Sequence, residues 1–213
     1  MRLTKHGHSC VRIEHDGGVL VIDPGGYTPT RTAALDGVDA VLISHQHADH
    51  LDVDALADAL AKRPAVTVHT HPDVVSKLDA VREAVRAVEA GQTFRAAGMD
   101  VRAYGGWHAL IHPDIPRVAN LGFLVNDAVY HPGDSFDVPE GATVETLFVP
   151  VSAPWLKLAE SVEFVRAVAP RHAYALHDAV LSDVGGVLTD GVMGRLVQCD
   201  YRRLATGTTV DAG

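Results

Sequence analysis

Cysteine is nearly absent from this chain: two residues in 213, Cys10 and Cys199, far apart in sequence. That excludes a disulfide framework and predicts two reduced, mostly buried thiols. No apolar run approaches the ~20 residues that a membrane helix needs. The first residues, Met1-Arg2-Leu3-Thr4-Lys5-His6, lead into polar sequence without the apolar core of a signal peptide, so no membrane partner and a cytoplasmic location are expected. Repeats, linkers and low-complexity tracts are missing, which favours one domain over 1–213. Positive charge is also scarce. Lys and Arg number 18 against 27 Asp and Glu, a formal net charge of −9. Phosphate binding rests on clustered cations, so nucleic acid is not an expected partner. With 47% apolar and 21% charged residues the chain reads as an ordinary globular protein. A chain of this size buries roughly 70% of its unfolded surface and needs no covalent staples.

What is abundant is histidine. There are 13 in 213 residues, about 6% where roughly 2% is ordinary. Histidine in excess points to metal ligation or proton transfer.

Periodicity predicts strands and helices in mixture. Residues 9–15 alternate apolar and polar with period two, 16–18 form a tight turn, and 19–22 run continuously apolar. Residues 40–44 form another buried strand. Helices are predicted over 52–60, 72–78, 157–168 and 190–198, and strands over 66–69, 93–107 (two, around Gly98), 121–125, 128–131, 146–151 and 172–176. Hairpins beside parallel crossovers argue against an all-parallel sheet and for two stacked sheets flanked by helices.

The strongest chemical signal is His45-Gln46-His47-Ala48-Asp49-His50, at the end of a buried strand and just before a helix. Such a loop is held by rigid elements and carries reactive groups well. Residues two apart in an extended loop point the same way, so His45 and His47 can bind one ion. Asp49 and His50 can face a second ion after the chain bends. Imidazole nitrogen and carboxylate oxygen suit zinc, iron or manganese. His108, Asp134 in Gly133-Asp134-Ser135, and His177 each follow a predicted strand, and strand exits on one sandwich edge converge.

This ordered set, H-x-H-x-D-H followed by a lone His, a G-D-S Asp and a final His, resembles the metallo-β-lactamase superfamily over about residues 3–205. Gly7-His8-Ser9-Cys10, Gly106-Trp107-His108 and Ala153-Pro154-Trp155-Leu156-Lys157 are similar to its small stand-alone branch, which includes L-ascorbate-6-phosphate lactonase-like proteins. The resemblance implies a four-layer αββα sandwich of two mixed β-sheets. It implies His45, His47 and His108 on a first metal, Asp49, His50 and His177 on a second, and Asp134 bridging them. It further implies one or two divalent ions, zinc foremost with manganese or iron as alternatives. Asp49 would orient the attacking water, and Asp23 would hydrogen-bond a ligand imidazole. His8 is read either as an acid or substrate contact or as a buried structural residue.

The expected function is a metal-dependent hydrolase in which a metal-activated water attacks an ester, lactone or phosphoester of a small, anionic metabolite. The alternatives are a di-iron redox protein and a non-catalytic metal-binding protein of the same fold; a homo-oligomer is compatible with all three. Among the other histidines, His112 competes with His108, His69 and His71 are assigned non-ligand roles, His131 packs, and His6, His15 and His172 are expected at surfaces or edges. Arg117 and Lys157 are candidate anion binders, and Trp107 and Trp155 are candidate pocket walls.

Overall fold

The structure is a computed structural model that describes residues 1–212. Fourteen strands divide equally between two sheets. The first sheet holds β1 (Arg2–Gly7), β2 (Cys10–His15), β3 (Gly18–Ile22), β4 (Ala40–Ile43), β5 (Thr67–Thr70) and β6 (Val85–Ala87), with β14 (Thr209–Asp211) returning beside β1. The second holds β7 (Thr93–Ala96), β8 (Met99–Gly105), β9 (Leu121–Val125), β10 (Val129–His131), β11 (Thr146–Pro150), β12 (His172–Leu176) and β13 (Asp200–Arg202). Each sheet has the same grammar. Three antiparallel ladders come first, from β14 to β3 and from β7 to β10. Three parallel ladders follow, from β3 to β6 and from β10 to β13.

Side-chain alternation explains the layering. Leu20, Ile22 and Leu42 point inward and meet Val101, Phe123, Phe148 and Tyr174 between the sheets. Their neighbours Val21, Val41 and Ile43 point outward, under a helical layer that contributes Leu56, Val74 and Leu78. That layer consists of α1 (Arg31–Leu35), α2 (Val53–Lys62), α3 (Pro72–Val75) and a 3-10 turn over Asp79–Ala84. The second sheet is covered by α4 (Leu158–Val168) and α5 (Asp183–Leu196), through Val162, Phe164, Val165 and Met193. Two apolar faces per sheet need two helical covers, which gives the four-layer α/β sandwich expected above.

Helix boundaries follow local chemistry. The Asp52 side chain accepts from Ala55 N and starts α2 one residue later than the periodicity suggests. In the same way Ser182 caps α5 by accepting from Gly185 N. The predicted helix over 190–198 therefore begins seven residues earlier, because Gly185 and Gly186 mask a helix that its cap nucleates. The predicted helix over 72–78 stops at Val75. His6 corrects the surface expectation: it is buried, with its Nδ1 2.9 Å from the Thr30 hydroxyl. Both cysteines are free, Cys10 buried and Cys199 half-buried. No described helix is long and apolar enough to cross a membrane.

β1, β3, β4, β8, β10 and β12 all run in one direction, so their C-terminal ends line a single edge. His8, Asp23, the 45–50 loop, His108, Asp134 and His177 follow those six ends.

Candidate metal centre

Seven side chains named from the sequence as ligands, together with His8, meet at that edge. Their donor atoms form three overlapping groups, each within 4.8 Å: His8, Asp49, His50 and His177; His45, His47 and His108; His45, His50 and Asp134. Asp134 sits in the middle. One oxygen lies 3.1 Å from His50 Nε2, and the other lies 3.3 Å from His108 Nε2 and 3.1 Å from His177 Nε2. Asp49 Oδ2 lies 3.2 Å from His177 Nε2 and accepts from His8 Nε2 at 3.1 Å. His112 is exposed and turned away, its Nδ1 accepting from Asp114 N, so His108 takes the position that the two contested.

The outer nitrogen of each inner ring is already committed. His108 Nδ1 donates to Ala109 O at 2.6 Å, and His177 Nδ1 to Ser152 O at 2.7 Å. His50 Nδ1 donates to Asp23 Oδ2 at 2.7 Å, and His45 Nδ1 to Ser44 Oγ at 3.0 Å. Ser44 Oγ in turn donates to the same Asp23 oxygen at 2.6 Å, and Ser44 N donates to Asp23 Oδ1 at 2.7 Å. One buried carboxylate thus sets the tautomer of two rings and leaves their Nε2 atoms to face the centre.

These residues fit a cation. His108 Nε2, His177 Nε2 and Asp134 Oδ1 are buried without an aligned hydrogen-bond partner. His45 Nε2 and His47 Nδ1 face each other at 3.0 Å. Buried polar atoms left unpaired are costly, and a cation at their meeting point would satisfy them. A mixed imidazole and carboxylate set is what a divalent transition metal takes.

Without an ion the charges are balanced by protons. Burial alone would lower the pKa of His50, but Asp134 and Asp23 outweigh it and raise it well above the usual histidine value. Burial likewise opposes a proton on His177, yet Asp134 and Asp49 hold its pKa at about 9. His45 is pushed well down by burial and by the neighbouring rings, and His47 is lowered by burial and His108. Burial penalises the charged forms of Asp49 and Asp134, but the surrounding histidines hold both carboxyls far below the ordinary range.

Three residues of the site sit in the left-handed backbone region: His8 (φ 41), Asp23 (φ 51) and His177 (φ 59). Non-glycine residues there cost roughly 1–2 kcal/mol each. The strain is borne where side chains turn sharply off strand ends toward the centre. The loop after β4 is packed against its support. A Cβ on Gly25 would lie 1.9 Å from Asp49 O and 2.3 Å from His50 N.

Several contributors carry no motif. Asn120 accepts from Asp134 N and donates to Pro132 O, clamping the turn that presents Asp134. His131 donates to Ser9 O and accepts from Gly133 N, so its packing role includes a bond between the sheets. Trp155 donates from Nε1 to Asp134 Oδ2 at 3.1 Å, with its ring 5.8 Å from His108. Nothing in the spacing distinguishes Ser44 or Asn120 from ordinary polar residues; only the Gly-Asp turn and the strand-end position of Ser44 hint at them. His69 stacks on Phe94 at 4.7 Å and is driven to a pKa of about 4 by burial and Arg86, away from the centre.

A two-sheet αββα sandwich with a His/Asp centre at one edge defines a class of metallo-hydrolase-like proteins. Residues 2–177 match the beta-lactamase superfamily domain, and the chain belongs to that family. It is 38% identical to Protein Rv0786c of Mycobacterium tuberculosis across 99% of this chain and 94% of that protein. It is 30% identical to the UPF0173 metal-dependent hydrolase MJ1163 of Methanocaldococcus jannaschii, across 62% of this chain and 60% of that one. Among solved structures, its fold is like that of Igni18, a metallo hydrolase from Ignicoccus hospitalis. That likeness has a TM-score of 0.76 at 18% identity and covers 98% of this chain and 97% of the other.

Proposed function

We propose that the protein is a metal-dependent hydrolase that cleaves an ester or lactone of a small metabolite. The convergence of buried, unpaired imidazole and carboxylate atoms on one point carries this reading. His45, His47 and His108 would hold one divalent ion and Asp49, His50 and His177 a second, with Asp134 between them. Zinc heads the candidates, ahead of manganese and iron. When bound, such ions supply a Lewis acid for the substrate oxygen and lower the pKa of water toward neutrality.

The chain's own residues supply orientation. Asp49 is tied to His8 and His177 and would act by accepting a hydrogen bond from the attacking water. His8 is kept neutral by burial, and its Nε2 holds the Asp49 carboxylate in place. We read His8 as a positioning residue. In the reaction the water oxygen joins the acyl carbon, the carbon–oxygen bond to the leaving group breaks, and the leaving oxygen takes up the water's proton.

A carbonyl substrate is favoured over a phosphoester because the cation beside the centre is already engaged. Ile111, Ile115 and Arg117 line a cleft about the size of one water with His47 and His108. The Tyr27 ring, half exposed, lies 5.3 Å from His8. Arg117, a candidate anion binder, donates instead to His108 O at 2.9 and 2.7 Å and stacks over Trp107.

The test is a panel of lactones, aryl esters and bis-p-nitrophenyl phosphate, assayed with and without chelator on protein of measured metal content. The likeness of Gly7-His8-Ser9-Cys10 to the lactonase-like branch is the reason lactones head it. Ester or lactone turnover, lost on chelation and restored by zinc or manganese, is expected. Full metal content without turnover of any substrate favours the non-catalytic alternative. An iron-specific colour with redox activity favours the di-iron one, and a preference for the phosphodiester overturns the substrate class.

A further inference from the structure

Helix α5 is apolar on the wrong side. Its inward face is Gly186, Thr189 and Met193, all buried. At 100° per residue, Val184, Val187, Leu188, Gly191, Val192 and Arg195 fall on the opposite face. There Val184, Val187 and Leu188 are 71%, 68% and 66% exposed, with Val192 and Leu196 partly so. A surface helix ordinarily turns charged residues outward. Here Arg195 is the one charge at the centre of the outward face, while Asp190 is engaged at the flank by Arg203 and Tyr201.

Gly191 sharpens the anomaly. Glycine inside a helix is unfavourable relative to alanine, and a Cβ at Gly191 would meet nothing of this chain within 4 Å. Internal packing does not ask for glycine there. Its bare backbone leaves room for close approach from outside. Val187, Leu188, Gly191, Val192, Arg195 and Leu196 together line a shallow groove.

We propose that α5 is a self-association surface whose occupant is the same helix of a second copy, packed antiparallel about a two-fold axis. An axis level with the step from Thr189 to Asp190 sets Leu188 of each copy into the gap over the partner's Gly191, and Val184 against the aliphatic stem of the partner's Arg195. Each contact occurs twice, as an isologous interface requires. Charge selects the direction. The first turn carries Asp183 and the last carries Arg195, so antiparallel pairing brings each Arg195 near the partner's Asp183. Parallel pairing would put like charges together. The net charge of −9 disfavours an anionic membrane as the occupant. A surface of one 14-residue helix is small for a permanent interface, so the dimer is reversible and concentration-dependent. The inference stands independently of the metal chemistry.

Sedimentation velocity across a concentration series tests it on the full chain. The wild type should shift reversibly from monomer to dimer. Leu188→Asp, at an exposed position, should keep the wild-type melting temperature and metal content yet raise the dimer dissociation constant at least about tenfold. Arg195→Asp should weaken pairing about two- to fivefold, and Asp183→Arg combined with Arg195→Asp should regain it. A monomer at every concentration overturns the proposal. So does a dimer indifferent to Leu188→Asp, or a monomer that floats with phosphatidylcholine and phosphatidylglycerol vesicles. Failure of the charge swap to restore association overturns the antiparallel register.

Discussion

Replacing Asp23 by Asn should cripple metal binding while leaving the shape of the protein intact. The Asp23 backbone is left-handed at φ 51, a conformation that asparagine tolerates better than most residues. The amide oxygen can keep the bond from Ser44 N. The amide nitrogen then faces Ser44 Oγ and His50 Nδ1, which both donate to Asp23 in the wild type at 2.6 and 2.7 Å. Two donors cannot satisfy one another. His50 must turn Nδ1 into an acceptor, which moves its proton to Nε2, the atom 3.1 Å from Asp134. Ser44 reverses too and pushes His45 toward the same wrong tautomer. Losing a hydrogen bond to a charged group costs about 1.5–3 kcal/mol. That agrees with the 10–100-fold loss of affinity, about 1.4–2.7 kcal/mol, usual for residues that orient metal ligands. Competition of the protein against a chromophoric chelator measures it, with the melting temperature of the ion-free form as a control for folding. Ser44→Ala interrupts only the His45 branch and should lose less. A folded Asp23→Asn protein binding zinc within about twofold of wild type would refute the reasoning.

Five further expectations follow from the structure. His47→Ala should abolish turnover and at least half of the bound metal, read by elemental analysis; normal metal content with retained activity would contradict the assignment. Metal affinity should weaken as pH falls, because an ion must displace the protons on His50 and on His177, whose pKa is about 9, and titrations at a series of pH values would show it. In the ion-free protein His177 has a pKa above its unfolded value, so its stabilising contribution is complete below about pH 6.5 and disappears as pH rises through about 9, visible in melting curves. Gly25→Ala should cost at least 1–3 kcal/mol in chemical denaturation and displace the 45–50 loop, since its methyl would overlap Asp49 and His50 backbone. Asp178→Asn should destabilise by about 3–5 kcal/mol, because it strands the Lys5 ammonium, which is buried and pairs with Asp178 at 2.8 Å.

The cluster was legible because its histidines and aspartates are chemically distinctive and follow apolar runs, so order along the chain stood in for proximity. The two-sheet architecture was legible from the hairpin around 126–127 and the buried runs at 40–43 and 146–150. Other parts were hidden for physical reasons. β1 contains Lys5 and His6, which look solvent-bound until partners 173 and 24 residues away neutralise or bond them. The start of α5 lies behind two glycines, and its cap at Ser182 outweighs their poor propensity. Trp155 reads as core or wall, and its bond to Asp134 depends on a loop path that no periodicity encodes. Arg117 looks like an anion binder until the backbone carbonyl that occupies it is known.

The first sheet carries His8, Asp23 and the 45–50 loop, and the second carries His108, Asp134 and His177. An ion gripped from both sides is therefore a rivet through a seam. Pulling one half away would strip several ligands together, so loading should raise the temperature at which the two sheets part, beyond what their shared apolar core already holds.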